Sequence, residues 1–169
     1  MKTAGAHRVR AAAPDDWSAI ARTHQQCWME AYRGHLPDRV IDGRKGPEFE
    51  TLWEQRVLSS NEGPVCVAED PEGTIAGFAS GGPLRADLPG YDGELVTFYV
   101  VADSQGRGLG TEMFAFIFAG MKSARYRYLV AQVLASTPAG GFYRRLGGHV
   151  VEQRHFDYRG VGVSANYFA

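Results

Sequence analysis

The sequence is short of the features that would mark a specialised environment. Its two cysteines, Cys27 and Cys66, stand alone, with no CxxC or Cys/His spacing that would build a zinc site. No apolar run approaches the ~20 residues that a membrane helix needs. The opening MKTAGAHRVRAAAPDD has no apolar segment of the secretory kind. Neither sign of charge dominates: the formal net charge is −1, and the 18 Lys and Arg are scattered, so no basic face points to nucleic acid. These absences lead to the expectation of a reduced, cytoplasmic protein with no metal, no nucleic-acid partner and no membrane. The bulk of the chain is ordinary, with 44% hydrophobic and 22% charged residues in 169. That length suits one domain, residues 1–169, with a single core.

Periodicity supplies the elements. His7 to Ala12 reads as a first strand, and Pro14 with Asp15 and Asp16 suits the first turn of a helix. Trp17, Ile20, Ala21, His24, Cys27, Trp28 and Ala31 recur at three- and four-residue steps and make one apolar helical face. That spacing makes core packing the default for Trp28, and His24 reads as a satisfied core histidine. The helix stops near Gly34 and Pro37, and a second runs from Pro47 to Leu58. Pro64–Glu69 and Thr74–Ala79 flank Asp70-Pro71-Glu72-Gly73 as a hairpin. A loop rich in Gly, Pro and Asp then leads to a strand beginning at Glu94. A helix apolar nearly all round follows Gly110 and is expected to be buried against a sheet. Tyr128–Leu134 is a strand parallel to the one from Glu94, since a helix separates them. Thr137-Pro138 opens a short helix, and Val150–Tyr158 and Val161–Phe168 are the last strands. The order β-α-α-β-β-β-α-β-α-β-β is an α/β fold with a mixed, mostly antiparallel sheet of about seven strands.

The informative stretch is Glu94–Thr111, ELVTFYVVADSQGRGLGT. A strand runs into Gln105-Gly106-Arg107-Gly108-Leu109-Gly110 and on into a helix. Converging backbone N–H groups at a helix N-terminus hold a phosphate. A P-loop would need Lys followed by Ser or Thr after the glycines, and neither is there. A dinucleotide fingerprint starting at Gly106 breaks at Thr111, and it would normally follow the first strand of a domain. What remains is Q-x-x-G-x-G, satisfied by Gln105, Gly108 and Gly110.

With Tyr99-Val100 before that loop and Thr137-Pro138-Ala139-Gly140-Gly141-Phe142-Tyr143-Arg144-Arg145-Leu146-Gly147 after it, the chain resembles the GNAT superfamily of N-acetyltransferases. Trp28 to Pro37 likewise resembles a W-x-x-x-Y-x-G-x-L-P stretch of uncharacterised bacterial members. The resemblance implies acetyl-CoA as co-substrate and no metal. It implies pantetheine contacts at Tyr99, Val100 and Val101, with pyrophosphate on the backbone of Gln105, Gly106, Arg107, Gly108, Leu109, Gly110 and Thr111. It further implies that Tyr143 is the acid that protonates the leaving thiolate. Thr137 departs from the family's usual Asn, which would shorten the reach of its polar group toward the pantetheine amide. Arg144 and Arg145 are further candidates for phosphate contact.

An alkylamine near pKa ~10.4 needs a proton acceptor at neutral pH. Glu94 is the first candidate, at the head of the strand lining the site, with Glu30 and Asp92 behind it. Trp28, Tyr32 and Glu30 are candidates for the acceptor pocket. The expected reaction is direct transfer of acetyl to a primary amine of a small molecule or peptide. A non-catalytic acyl-CoA sensor of the same fold is the alternative, and a homodimer through the C-terminal strands is compatible with either.

Overall fold

A computed structural model describes residues 7–59 and 61–169. The elements follow the order β1 (Arg8–Ala11), α1 (Trp17–Tyr32), α2 (Asp38–Gly43), α3 (Gly46–Leu58), β2 (Val65–Glu69), β3 (Ile75–Pro83), β4 (Gly93–Val100), α4 (Leu109–Ser123), β5 (Leu129–Leu134), α5 (Gly140–Arg145), β6 (Val150–Tyr158) and β7 (Val161–Phe168). The seven strands form one sheet in the order β1-β2-β3-β4-β5-β7-β6. Every neighbouring pair is antiparallel except β4–β5. The α/β expectation with a mostly antiparallel seven-stranded sheet therefore holds.

Two differences from the sequence reading have physical causes. Helix α2 lies where a loop was expected. It is six residues long, too short to show a period, and Val40 and Ile41 pin it to the core. Helix α4 is not buried all round. Leu109, Met113, Ile117 and Met121, four residues apart, make one buried stripe, whereas Phe118 is 48% exposed.

The sheet is covered on both faces. Helices α1 to α3 pack on one, around Ile20, Phe49, Trp53 and Phe78, and α4 packs on the other, over Cys66, Ala68, Ala79 and Leu95. A register shift in the β3–β4 pair, where Ser80 faces Thr97 but Gly81 faces Leu95, makes Val96 an extra residue on β4. Such a bulge changes which face the following side chains take. Consequently Leu95, Phe98 and Val100 all pack on the α4 side, and Tyr99 and Val101 pack on the other.

His24 sits in the first core with its ring against Phe49, Phe78 and Tyr99. Its Nδ1 accepts the indole N–H of Trp53 at 3.0 Å, which leaves the ring proton on Nε2. Burial, then the nearby Arg44 cation, pushes its pKa down to about 3. Between that value and the unfolded value of ~6.5 only the unfolded chain takes up the proton, so stability falls as pH falls, by roughly 1.4 kcal/mol per unit. Gln at position 24 can accept from Trp53 and does not titrate. We expect the stability advantage of wild type over His24→Gln in urea melts to shrink from pH 6 to pH 4. A constant difference would show that His24 does not carry this dependence.

Candidate active site

Strands β4 and β5 stay together for only three pairs, Gly93–Leu129, Glu94–Val130 and Leu95–Ala131. Beyond Val96 they part, since β4 continues along β3 and β5 along β7. The Val101 N–H donates to Ala76 C=O of β3 at 2.9 Å. Strand alternation then turns Tyr99 toward β3 and turns the N–H and C=O groups of Phe98 and Val100 into the gap. The Gln105 side chain donates to Val100 C=O at 2.9 Å, tying the glycine loop to the end of the strand. The Gln105 backbone N–H, from which a phosphate contact was expected, donates instead to Ala102 C=O at 3.2 Å.

The loop itself presents donors. Gly108 sits at φ 86° as the residue preceding α4, in the left-handed region that side chains rarely adopt. Among the described residues, the N–H groups of Gly106 through Gly110 have no hydrogen-bond acceptor, and they stand at the positive end of a fifteen-residue helix. That is the arrangement that takes an anion. Gly110 also lets α5 approach: a Cβ there would lie 3.0 Å from the Phe142 ring. Phe142 stacks on Phe98 at 5.1 Å, so α5 closes the gap from the α4 side.

The result is a cavity of about 930 Å³ between the parted strands, α1, the loop and α5. It brings together Tyr99, Val100, Gln105, Gly106, Gly108, Leu109, Gly110, Thr111, Thr137 and Tyr143, with Glu30 and Tyr32 on the α1 wall. Several expected residues are not among its lining. Val101 has its N–H committed to β3, Arg107 points to solvent, and Trp28 is buried in the core with its indole N–H on Ile41 C=O.

Glu94 is the substantive correction, because it does not line the cavity. It is 2% exposed, and Arg85 grips both of its oxygens, at 3.0 Å and 2.7 Å, with the Arg85 backbone N–H adding a third bond. Unbroken alternation would put Glu94 on the face of Phe98 and Val100, but the extra residue at Val96 turns it to the opposite face. Asp92 is also elsewhere, capping the N–H groups of Arg127 and Tyr128. Among the described residues, Glu30 is the one carboxylate of the cavity wall. Its oxygens accept from the Ala102 N–H at 3.0 Å and the Gln26 amide at 2.7 Å.

Tyr32, Tyr99 and Tyr143 line the interior. The Tyr32 and Tyr99 hydroxyls are 3.1 Å apart. Burial, then the charge of Tyr32, raises the Tyr143 phenol above its ordinary value, so it keeps its proton through the neutral range. Its ring is held between Phe142 and Phe168, and its hydroxyl has no partner among the described residues. Thr137 spends its hydroxyl proton on Leu134 C=O at 2.8 Å, which leaves it able only to accept. The sequence reading missed His35, Phe98 and Gln132, which also line the cavity. A polar Gln in the apolar run LVAQVL was the one available signal.

Comparison with known proteins places these features in a family. Residues 17–148 match the model of the acetyltransferase (GNAT) family. The chain is 31% identical over 153 residues to the uncharacterised N-acetyltransferase YuaI of Bacillus subtilis, covering 90% of this chain and 86% of that one. It is 30% identical over 92 residues, 53% of each chain, to an L-methionine sulfoximine/L-methionine sulfone acetyltransferase of Pseudomonas aeruginosa. The fold superposes on YncA of Salmonella typhimurium, solved with acetyl-CoA, at TM-score 0.70 and 21% identity over 97% of this chain and 92% of that one. It also superposes on the PaiA N-acetyltransferase of Thermoplasma acidophilum, solved with coenzyme A, at TM-score 0.74 and 16% identity over 96% and 98%.

The loop assignment is testable with Gly108→Asp, which adds strain and negative charge where the N–H groups converge. Coenzyme A at a hundred times its Kd stabilises a protein by ~2.7 kcal/mol, a melting shift of about 5–10 °C at this size. We expect that shift in wild type and none in Gly108→Asp, each measured against its own ligand-free baseline. An undiminished shift in the variant would move the phosphate site elsewhere.

Proposed function

The chain belongs to the acetyltransferase (GNAT) family, and from that premise we propose that it moves the acetyl group of acetyl-CoA directly to a primary amine of a small molecule or peptide. The observation that carries the proposal is the pairing of two unpartnered donor sets in one cavity: the loop N–H groups of Gly106 to Gly110 and the strand N–H groups of Phe98 and Val100. Their chemistry fits the two ends of a pantetheine arm. The loop and helix N-terminus hold a pyrophosphate, and the strand edge takes the amides of the arm as an added strand would. A thioester carbonyl aligned on a strand N–H gains a hydrogen bond as negative charge develops on its oxygen.

Tyr143 serves the leaving group. Its phenol stays protonated at neutral pH and has a free O–H to donate to the sulfur as the C–S bond breaks. Tyr32 and Tyr99, linked through their hydroxyls, brace the opposite wall where α1 meets the strand end. The amine must lose a proton to attack, a cost of roughly 4–5 kcal/mol for a lysine-like pKa at pH 7. Glu30 takes that role in place of Glu94. Its carboxylate borders the cavity and its bonds are to neutral donors, so it keeps lone pairs for a water that relays the proton.

Tyr143→Phe keeps the ring packing and removes only the hydroxyl. We expect kcat for a responsive amine to fall by ~100-fold or more, with acetyl-CoA affinity unchanged within about twofold, read by thiol release and calorimetry. Turnover at the wild-type rate would remove Tyr143 from the mechanism.

A further inference from the structure

A second concavity, of about 410 Å³, lies on the same face of the sheet, beside the foot of the gap. Its origin is in the layout of the helices. Helix α4 packs across β1 to β4 and α5 against β7, so the face of β5 between them is left open. The walls are mostly apolar, with Phe114, Ile117, Phe118, Leu129 and Phe168 among them, and Arg127, Tyr91 and Tyr128 add polar groups. Phe114 and Phe118 stack at 6.0 Å, and Phe118 is 48% exposed.

The two cavities share walls. Leu95, Tyr143 and Leu146 line both. Leu95 belongs to the last β4–β5 pair before the strands part, and Tyr143 carries the hydroxyl assigned above to the sulfur. A chain leaving a thioester carbonyl beside Tyr143 and continuing past Leu95 would therefore run toward a mostly apolar space. A hydrocarbon chain gains from burial against the phenylalanine and leucine walls.

We propose that this second cavity is an acyl-chain site, and that the enzyme accepts coenzyme A thioesters with medium-length acyl groups as well as acetyl. The inference rests on the reading of the first cavity as the thioester site. The chemistry is unaltered by the longer chain. The amine nitrogen forms the amide C–N bond, the C–S bond breaks, and coenzyme A leaves as the thiol with the proton given up by the amine side.

The test is a calorimetric series with acetyl-, butyryl-, hexanoyl- and octanoyl-CoA on wild type, Phe118→Asp and Phe114→Ser, paired with kcat/KM for the same thioesters. In wild type, Kd should tighten by about fourfold for each methylene that is buried, levelling off when the cavity is full, and kcat/KM should follow. Phe118→Asp, at an exposed position that leaves the fold intact, should flatten the series while leaving acetyl-CoA affinity unchanged. Phe114→Ser should flatten it by removing the stacked ring. A flat or weakening series in wild type overturns the proposal while the acetyl reading stands. A steep series that neither variant alters also overturns it, because the chain then lies elsewhere. Failure of acetyl-CoA itself to bind would remove the first cavity's reading and this one together.

Discussion

The site depends on the parting of two strands. Backbone N–H and C=O groups in a sheet interior are almost always paired, yet β4 and β5 separate after three residue pairs. Beyond that point both strand edges face a cavity. What holds them apart is commitment on their other sides: β4 is bound to β3 as far as Val101, and β5 is bound to β7 as far as Leu134. Neither can close the gap without giving up a ladder it already has. The fold therefore maintains unpaired strand donors, and a ligand able to pair with them recovers what the protein leaves unmade.

The other features of the site arrange themselves around that gap. The Val96 bulge decides which side chains face it, sending Phe98 and Val100 to the α4 side. The stripe from Leu109 to Met121 anchors α4 to the sheet, which fixes the N-terminus of that helix at the end of β4. Gln105 adds a direct tie from the loop to Val100 C=O. Phe142 then brings α5 across, packed on Phe98 and close against Gly110, and carries Tyr143 into place as its chain neighbour. One aromatic stack thereby sets the distance between the glycine-loop end of the cavity and Tyr143.

Much of this was legible in the sequence wherever the controlling physics is local. The glycine loop could be read because a left-handed φ at Gly108 and bare donors at a helix start are demands on neighbouring residues. The final strands, β6 and β7, were read to the residue because valine and aromatic residues, Val150, Val151, Phe156 and Tyr158 on one side and Val161, Val163, Tyr167 and Phe168 on the other, flank the Arg159-Gly160 turn. What failed was non-local. The face taken by Glu94 depends on a bulge two residues later, and its partner Arg85 sits in a loop with no motif to announce it. Helix α2 was missed because six residues carry no period. The exposure of Phe118 was missed because composition says that a helix is apolar, not how much sheet there is to cover it. That last error bears on function, since the uncovered part of β5 is the floor of the second cavity.

The central claim is that Phe98 and Val100 present their backbone donors to the cavity for an incoming thioester arm. Residue-resolved amide hydrogen exchange, with and without acetyl-CoA, reads it directly. The account predicts alternation along β4: Tyr99 and Val101 protected in both states, Phe98 and Val100 fast in the free protein and slowed when acetyl-CoA binds, together with the loop amides from Gly106 to Gly110. Uniform protection along β4 before ligand is added, or binding that slows the loop amides and leaves Phe98 and Val100 untouched, would contradict it.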